Sequence, residues 1–303
     1  MSGQQTPERL DGSPGLNRLD RRALVRDHPP ASTNQEPPLQ ILNARMDVDA
    51  YFRALAGTAQ RVLMLDYDGT LAPFHFDPAQ ARPYPGIVRS LDVIAAVPGT
   101  RLVIVSGRPA QELLPLLPLE QRPEIWGAHG WERLLPAGTL EIRVLAATAR
   151  SALQEAELMG ATALAMGARL ERKPASLALH WRGLEPEVAQ SIQQWARAAW
   201  SPLTREKDLA ILPFEGGMEL RARECSKSQA VSTVMAETAG DAMFAYLGDD
   251  ITDEDAFGAV KAGGKRGLAV LVREELRETA ADLWVCPPRQ LLEFLERWQL
   301  PPG

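Results

Sequence analysis

The segment RVLMLDYDGT, residues 61–70, decides the fold that we predict for this chain. Its apolar run VLML ends abruptly at Asp66, and a second carboxylate, Asp68, follows just before Gly69. A short, continuous apolar run is typical of a strand that is buried on both faces of a parallel sheet. Parallel α/β sheets bind ligands beyond the carboxyl ends of their strands. The segment therefore predicts a buried strand that presents Asp66 and Asp68 to a ligand site.

Further runs along the chain repeat this pattern. They are RLVIVSGR, EIWGAHG, FAYLGDD and RGLAVLV, at residues 101–108, 124–130, 244–250 and 266–272. Helical patterns such as GIVRSLDVIAAV and SQAVSTVMAETA lie between them. Strands that alternate with helices predict a parallel sheet covered by helices on both faces. We therefore predict an α/β fold class with a Rossmann-like core.

Residues 139–223 break this rhythm. They contain TLEIRV, a helix from Ala147, the pair ARLERKP and SLALHWR, a helix over 185–200, then LAILPF and MELRAR. The order is β-α-β-β-α-β-β, and its strands alternate apolar and polar residues, as in an antiparallel sheet with one covered face and one face open to a ligand. We predict that 139–223 form a cap inserted into a core made of 47–138 and 224–303.

The first 46 residues are polar, rich in proline and poor in apolar periodicity. Such a segment cannot bury enough apolar surface to offset the entropy lost on ordering, so we predict a disordered extension over 1–46. The stretch MSGQQTPERL lacks the apolar run of a signal peptide. No stretch approaches the roughly 20 apolar residues of a membrane span. We therefore predict a soluble, cytoplasmic protein.

The composition argues against several classes of partner. A formal net charge of −6 leaves no excess of cations to neutralise a nucleic acid or an anionic membrane. The two cysteines, Cys225 and Cys286, are too few for a disulfide framework and lack the spacing of a zinc site. We predict a small-molecule ligand, with no nucleic acid and no membrane as partner.

A second acidic group follows another apolar run. Asp249 and Asp250 come directly after Gly248, and the residues TDED lie behind them. Because both acidic groups are predicted to end strands of one sheet, they should lie at the same edge. So much negative charge is costly unless a cation neutralises it, and oxygen ligands favour Mg²⁺ over zinc or copper. The sequence therefore predicts a bound Mg²⁺ ion.

Two further groups are suited to a phosphoryl group. Ser106, Gly107 and Arg108 close the second run, and they offer a hydroxyl, an unhindered amide and the start of the helix PAQELLPLL, whose positive end suits phosphate oxygens. Lys227 opens the helix that follows MELRARECS. Such donors stabilise a phosphoryl group as it leaves its alcohol and meets Asp66. The pattern predicts a phosphate-ester hydrolase.

In these residues the chain resembles the haloacid-dehalogenase superfamily of phosphotransferases, from about Arg61 to Trp298. The ordered motifs of that superfamily match residues 66–70, Ser106, Lys227 and 249–250. The resemblance implies a haloacid-dehalogenase core and the following roles. Asp66 attacks phosphorus. Asp68 protonates the leaving alcohol and then activates water, while Ser106 and Lys227 hold the phosphoryl oxygens. Mg²⁺ is implied on Asp66, the Asp68 carbonyl and Asp249, with Asp250 as a further candidate ligand.

The exact residues of the motifs give a narrower resemblance. LDYDGTLAP, VSGR, GAHGWER, MELRARECSKSQA and LGDDITDEDAF are similar to the trehalose-6-phosphate phosphatases. The resemblance implies hydrolysis of trehalose 6-phosphate, a cap that closes over the sugar, and a functional link to a trehalose-6-phosphate synthase. The chain departs from the common pattern where Lys227 is followed by Ser228 instead of glycine, and where Glu224 and Cys225 stand before it.

The candidate substrate-binding residues lie on the core rim and on the cap strands. Arginine and lysine can clamp phosphate, and a carboxylate can accept hydrogen bonds from sugar hydroxyls. By resemblance, the preferred sugar contacts are His129, Lys173 and Glu219. The full set of candidates is Asp66, Tyr67, Asp68, Ser106, Gly107, Arg108, His129, Gly130, Glu132, Lys173, His180, Arg182 and Glu219.

Several alternatives stay open from the sequence. The same chemistry suits a phosphatase for sucrose phosphate or mannosyl-phosphoglycerate, or a phosphomutase that returns the phosphoryl group to a sugar. A member of a different class, a sugar-phosphate sensor or a regulatory partner of a synthase, would bind without turnover. All four motifs are intact in this chain, which favours catalysis.

Overall fold

The computed structural model describes residues 39–205, 208–214, 216–238 and 240–299. Within them the strands form a nine-stranded sheet and a four-stranded sheet. The strands are β1 (Gln40–Ile41), β2 (Arg61–Leu65), β3 (Thr100–Val105), β4 (Glu124–Gly127), β5 (Glu132–Leu134), β6 (Leu140–Ile142), β7 (Arg169–Lys173), β8 (Ser176–His180), β9 (Leu209–Phe214), β10 (Gly217–Ala222), β11 (Met243–Gly248), β12 (Gly267–Val272) and β13 (Leu283–Val285). The α-helices are α1 (Val48–Ala56), α2 (Ile87–Ala96), α3 (Ala110–Leu113), α4 (Ala147–Met159), α5 (Ala161–Ala165), α6 (Pro186–Arg205), α7 (Lys227–Ala236), α8 (Glu254–Lys261) and α9 (Arg289–Glu296).

The large sheet has the order β1-β13-β12-β11-β2-β3-β4-β5-β6. Its strands from β13 to β4 are parallel. The five apolar runs are β2, β3, β4, β11 and β12, so the prediction of buried parallel strands is confirmed. Because β2 lies between β11 and β3, the residues that follow these three strands meet at one edge. Asp66, Ser106 and Asp249 are brought together in this way.

Helices cover both faces of the large sheet, as predicted. Leu63 and Leu65 point to one face and pack in a cluster with residues of α2 and α9. Val62 and Met64 point to the other face and pack with residues of α7 and α8. Each fully buried side chain of this size contributes about 1.5–3 kcal/mol relative to exposure. The alternation therefore anchors the strand that carries Asp66 from both sides.

The small sheet has the order β7-β8-β10-β9 and is antiparallel throughout. Leu177 and Leu179 of β8 pack on one face with residues of α4 and α6, including Trp200. The alternate residues of the strands, among them Ser176 and Glu219, point to the opposite face because successive side chains alternate across a sheet. The prediction of one helix-covered face is therefore confirmed.

The strand predicted from TLEIRV as the first of the cap is an exception. Its residues 140–142 form β6, which pairs with β5 at the edge of the large sheet. The reason is local: the amide of Leu135 donates to the carbonyl of Thr139, and Gly138 takes a φ of 95° in the connecting turn. A short hairpin turn of this kind pairs neighbouring strands. The connection to the small sheet therefore begins after Ile142.

The predicted disordered extension is also corrected in part. Residues 1–38 lie outside the described residues, but Gln40 and Ile41 form β1 and pair with β13. The side chain of Asn43 donates to Asp282 at 2.7 Å, which ties this segment to the sheet. Main-chain and side-chain hydrogen bonds thus offset the ordering cost that composition alone suggested.

Two helices differ in length from their predictions. The helix predicted over 185–200 extends to Arg205. The helix predicted in PAQELLPLL is the four-residue α3, because Pro115 and Pro118 prevent a regular helix from continuing. Among the described residues, no helix is both long and apolar enough to cross a membrane.

Candidate active site

Asp66 lies at the point where β2 ends, and its side chain is enclosed. The residue is 4 % exposed, and its amide donates to the carbonyl of Leu247 on the neighbouring strand at 2.9 Å. One carboxylate oxygen, Oδ1, lies 2.9 Å from Nζ of Lys227. The predicted nucleophile and the predicted phosphate-binding lysine are therefore in direct contact.

Lys227 is the first residue of α7, as predicted. Ser226 caps this helix by accepting a hydrogen bond from the amide of Gln229. Nζ of Lys227 contacts Asp66 and also lies 2.7 Å from Oδ1 of Asp253. Burial alone would lower the pKa of Lys227, but attraction to Asp253 and Asp66 outweighs burial and raises this pKa above its ordinary value. Lys227 is thus a permanent buried cation.

Asp253 holds the site together, and the sequence analysis did not include it among the site residues. It is fully buried, and it accepts hydrogen bonds from Lys227 at 2.7 Å and from the hydroxyl of Tyr246 at 2.6 Å. Its second oxygen accepts from the amides of Asp249 at 3.1 Å and Asp250 at 3.0 Å. The signal available in the sequence was its position three residues after Asp250, which is the spacing of a capping box.

Three carboxylates form a group that could hold a cation. Oxygen atoms of Asp66, Asp249 and Asp253 all lie within 4.8 Å of one another. Oδ1 of Asp249 is buried and has no hydrogen-bond partner among the described residues. Burial, and then the charges of Asp66 and Asp253, raise the pKa of Asp249 well above its ordinary value. A buried oxygen without a partner, in a set of hard oxygen donors, fits a divalent ion such as Mg²⁺.

The same burial acts on the nucleophile. Burial raises the pKa of Asp66 to about 7, although Lys227 opposes this increase. The loop that carries Gly69 lies very close to Asp249, since a Cβ atom on Gly69 would lie 2.1 Å from the carboxylate of Asp249. Gly69 also takes a φ of 81°, which favours glycine. The two acidic loops therefore pack closely because glycine stands at this position.

Asp250, predicted as a metal ligand, lies outside this group of carboxylates. Its side chain instead caps the short helical turn that begins at Ile251, in a reciprocal arrangement with Asp253. Asp68 is likewise not part of the group through its side chain, which pairs with Arg108. Asp253 is the third carboxylate of the group, and the sequence analysis did not name it among the metal ligands.

Arg108 contacts Asp68 with two of its nitrogens. Nε lies 2.6 Å from Oδ2 of Asp68, and Nη2 lies 2.5 Å from Oδ1. Nη1 donates to the carbonyl of Pro78 at 2.6 Å. A planar guanidinium that bonds both oxygens of a carboxylate gives it a defined orientation. The predicted substrate-binding arginine therefore contacts the predicted acid–base residue.

The residues after β3 and β4 form the neighbouring part of the rim. The hydroxyl of Ser106 accepts a hydrogen bond from the amide of Arg108 at 3.2 Å, and the carbonyl of Ser106 accepts from the amide of His129 at 2.9 Å. His129 has a φ of 56°, and Gly130 follows with a φ of 88°. A Cβ atom on Gly107 would lie 2.8 Å from the His129 ring. Glycine at 107 therefore makes room for that ring.

The open face of the small sheet brings a charged cluster to this rim. Glu219 is 5 % exposed; it accepts from Ser176 at 2.7 Å and from Lys173 at 3.3 Å. Its Oε2 lies 3.6 Å from Nε2 of His129 and 3.5 Å from Nη1 of Arg221. His129, Lys173 and Glu219, the preferred sugar contacts, are thus brought together.

Two members of this cluster, Glu219 and His129, differ in their ionisation. Burial opposes ionisation of Glu219, yet His129, Lys173 and Arg221 lower its pKa to about 2. Burial also lowers the pKa of His129 well below its ordinary value, with a further decrease from Arg221. His129 is therefore neutral near pH 7, where the cations next to Glu219 are those of Lys173 and Arg221.

Other predicted substrate contacts have protein partners in the structure. The hydroxyl of Tyr67 donates to the carbonyl of Ala81 at 2.7 Å. Glu132 accepts from the amide of Ala110 at 2.8 Å, at the first residue of α3. These bonds give Tyr67 and Glu132 structural roles beside the site.

His180 and Arg182 lie farther along the small sheet. His180 bonds Glu171 at 2.7 Å. Arg182 lines a cavity of about 380 Å³ that reaches Gly69 and Asp249. Contact with substrate stays a prediction for every candidate substrate-binding residue. These candidates include Asp68, Ser106, Gly107, Arg108 and Gly130.

The parallel sheet, with carboxylates at one edge and a second α/β sheet beside them, defines the class of protein. The chain has the fold of the haloacid-dehalogenase-like hydrolases. A hydrolase of this type from Bacteroides thetaiotaomicron matches 78 % of the chain and 99 % of its own length with a TM-score of 0.59, at 15 % identity. At this identity the likeness concerns the fold.

The sequence places the chain more narrowly within that class. The trehalose-phosphatase family model matches residues 64–282, and the chain belongs to this family. A trehalose-phosphate phosphatase of Mycobacterium avium is 32 % identical over 255 residues, which cover 80 % of this chain and 63 % of the relative. The chain therefore spans a little less than two thirds of that relative. The C-terminal domain of a Candida albicans trehalose-6-phosphate phosphatase has the same fold, with a TM-score of 0.72 over 88 % of this chain and 100 % of that domain, at 22 % identity.

Proposed function

We propose that this chain hydrolyses trehalose 6-phosphate to trehalose and inorganic phosphate through an aspartyl-phosphate on Asp66. The observation that carries the proposal is the buried pair of Asp66 and Lys227, 2.9 Å apart at the carboxyl edge of the sheet. In a member of the trehalose-phosphatase family, a carboxylate held against a permanent cation at this edge is suited to meet a phosphoryl group.

The reaction has two steps. In the first, a carboxylate oxygen of Asp66 bonds to phosphorus, the bond from phosphorus to the sugar oxygen breaks, and Asp68 gives its proton to the departing oxygen. In the second, Asp68 takes a proton from water, and the water oxygen attacks phosphorus and releases phosphate from Asp66. Lys227 and the hydroxyl of Ser106 hold the phosphoryl oxygens in both steps.

A cation has a defined place in this proposal. Asp66, Asp249 and the main-chain carbonyl of Asp68 would hold Mg²⁺, and Asp253 would orient Asp249 through its amide. When bound, the ion supplies positive charge that offsets the charge of the phosphoryl oxygens and of the carboxylates. Asp253 uses both oxygens for protein contacts, so we assign it an orienting role.

We further propose that residues 143–223 act as a cap, a start slightly later than the predicted 139 because β6 belongs to the large sheet. The contact between His129 and Glu219 joins the core rim to the open face of the small sheet. The sugar would lie between these two surfaces and contact Lys173 and Glu219. Closing the cap over the phosphoryl group would exclude water during attack by Asp66.

The alternative substrates remain within the same chemistry. Sucrose phosphate and mannosyl-phosphoglycerate phosphatases, and a phosphomutase, would use the same edge of the sheet. A sensor without turnover is disfavoured because Asp66, Asp68, Ser106 and Lys227 are all present. A link to a trehalose-6-phosphate synthase and a cytoplasmic location stay predictions.

The test is phosphate release from a panel of sugar phosphates, with Mg²⁺ and with EDTA. Asp66→Asn removes the nucleophile and keeps the side-chain shape, while Asp255→Asn changes an exposed aspartate of α8 and serves as the matched control. We expect Mg²⁺-dependent release from trehalose 6-phosphate by the wild type and by Asp255→Asn, and none by Asp66→Asn. Turnover by pure Asp66→Asn would contradict the mechanism. Equal release from several sugars would contradict the assigned substrate, and binding without release would favour the sensor.

A further inference from the structure

An aromatic side chain stands exposed beside the catalytic edge. The loop APFHFD at 72–77 follows the catalytic segment. Phe74 in this loop is 58 % exposed, and Phe76 is 97 % exposed. Of these two, Phe74 lines the cavity of about 380 Å³ that also reaches Gly69 and Asp249. An exposed ring in a concave site is a feature of ligand pockets.

A second aromatic ring reaches the same cavity from the small sheet. Phe214, the last residue of β9, lines it together with Arg182. Its ring packs edge-on against His180, with centroids 5.2 Å apart, and His180 is held by Glu171 at 2.7 Å. A Cβ atom on Gly217 would lie 2.0 Å from the Phe214 ring. The ring is therefore seated on glycine backbone and supported from one side, which gives it a defined position.

The charges around the cavity select the kind of ligand. Its lining includes the four acidic residues Asp249, Asp250, Glu274 and Glu275, and two arginines, Arg182 and Arg273. Because Asp249 is assigned to the cation, three carboxylates and two arginines remain in the lining, and this smaller excess of negative charge still disfavours a second anionic group on the leaving alcohol. A neutral ring with hydroxyl groups suits the cavity. The C–H face of a pyranose ring can lie on the negative face of an aromatic ring.

We propose that Phe74 and Phe214 form an aromatic subsite for a neutral pyranose ring of the leaving alcohol. The proposal rests on the proposed function, since it assumes a phosphorylated sugar whose phosphoryl group lies at Asp66. Phe74 and Phe214 determine specificity: they favour a disaccharide phosphate with an uncharged second sugar over substrates that carry a carboxylate there, such as mannosyl-phosphoglycerate.

The test compares two phenylalanines of one loop. Phe74→Ala removes the ring that lines the cavity, and Phe76→Ala removes a more exposed ring that lies outside the lining. We measure kcat and KM for trehalose 6-phosphate, and the inhibition constant of inorganic phosphate. Phe74→Ala is expected to raise KM about tenfold, the effect of losing one well-placed aromatic contact. Phe76→Ala should change KM less than twofold, and phosphate inhibition should be equal in both variants.

Three further variants separate stacking from simple coverage and from misfolding. Phe74→Trp should keep the wild-type KM, because the aromatic face is retained, whereas Phe74→Leu should behave like Phe74→Ala. Phe214→Ala should raise KM for the same substrate, with its thermal unfolding measured alongside to confirm that the small sheet is folded. Recovery of KM in Phe74→Leu would overturn stacking as the basis of the subsite.

The outcomes also distinguish this inference from the proposed function. If the wild type hydrolyses trehalose 6-phosphate and Phe74→Ala has the KM of Phe76→Ala, the subsite is wrong and the function stands. If the wild type releases no phosphate from trehalose 6-phosphate, the function is wrong, and the subsite as stated falls with it.

Discussion

Arg108 bonds both carboxylate oxygens of Asp68, at 2.6 Å and 2.5 Å. The side chain of Arg108 is 13 % exposed, and that of Asp68 is 25 % exposed, so the pair is partly shielded from solvent. A third bond, to the carbonyl of Pro78, positions the guanidinium from behind. The arrangement gives Asp68 a defined orientation, and it engages the guanidinium of a residue that the sequence analysis predicted to bind substrate.

Arg108→Lys is expected to lower kcat more than it raises KM. Lysine keeps the charge but cannot bond both oxygens of Asp68 in one plane. We expect kcat to fall between about tenfold and a hundredfold, which is part of the 10²–10⁴ that general acid–base catalysis contributes. Steady-state kinetics with trehalose 6-phosphate measure this split. A large rise in KM with an unchanged kcat would instead favour direct phosphate binding by Arg108.

Lys227→Met is expected to remove activity and also to destabilise the fold. The change leaves the carboxylates of Asp66 and Asp253 buried without their cation. Breaking a buried ion pair by removing one partner costs about 3–5 kcal/mol. Chemical denaturation in EDTA gives the free energy of unfolding. The double variant Lys227→Met with Asp66→Asn should regain part of that loss and stay inactive, because one unpaired charge has been removed.

The same denaturation experiment can test Glu219 as pH is lowered. Its pKa is about 2 in the folded protein, below the value near 4.3 of an unperturbed glutamate. The unfolded chain therefore binds the proton first, and the stability that Glu219 contributes is present above about pH 4.3 and lost as the pH falls towards 2. Glu219→Gln should lose less stability than the wild type in this window. An exposed control, Glu120→Gln, should follow the wild type; identical slopes for all three proteins would contradict the assignment.

The strand ends were predictable from sequence because burial imposes a pattern on them. The apolar runs of β2, β3 and β11 each end in the residues that the sheet edge brings together, so Asp66, Ser106 and Asp249 could be placed without a structure. Lys227 could be placed for a related reason, because it opens the helix that follows the second sheet.

The pairing of side chains was not predictable in the same way. Whether Arg108 faces phosphate or Asp68 depends on the path of the loop that carries Pro78, and no periodicity encodes that path. The choice between Asp250 and Asp253 depends on a reciprocal cap formed by a short helical turn. The tight turn before β6 places that strand in the large sheet, although its alternating residues would suit either the large or the small sheet. Such choices are made by tertiary contacts rather than by local pattern.

The different surroundings of Asp249 and Asp250 allow a test of the metal site. Within the part of the chain that the structure describes, Oδ1 of Asp249 is buried without a hydrogen-bond partner, whereas the side chain of Asp250 caps a turn. Saturating Mg²⁺ should stabilise the wild type by about 2.7 kcal/mol when its free concentration is 100 times Kd. Asp249→Asn should abolish this gain and Asp250→Asn should keep most of it, as measured by thermal unfolding with Mg²⁺ and with EDTA.

In EDTA, the wild type and Asp249→Asn should exchange their order of thermal stability. Repulsion from Asp66 and Asp253 raises its pKa together with burial, so the ionised side chain opposes folding when no cation is present. Asp249→Asn should therefore be more stable than the wild type in EDTA at pH 8 and less stable in Mg²⁺. Asp250→Asn should keep its stability about equally in both conditions, because the asparagine side-chain oxygen can still accept the capping hydrogen bond. If Asp250→Asn abolished the Mg²⁺ gain instead, Asp250 would be the ligand, and the cap seen here would be replaced when the ion binds.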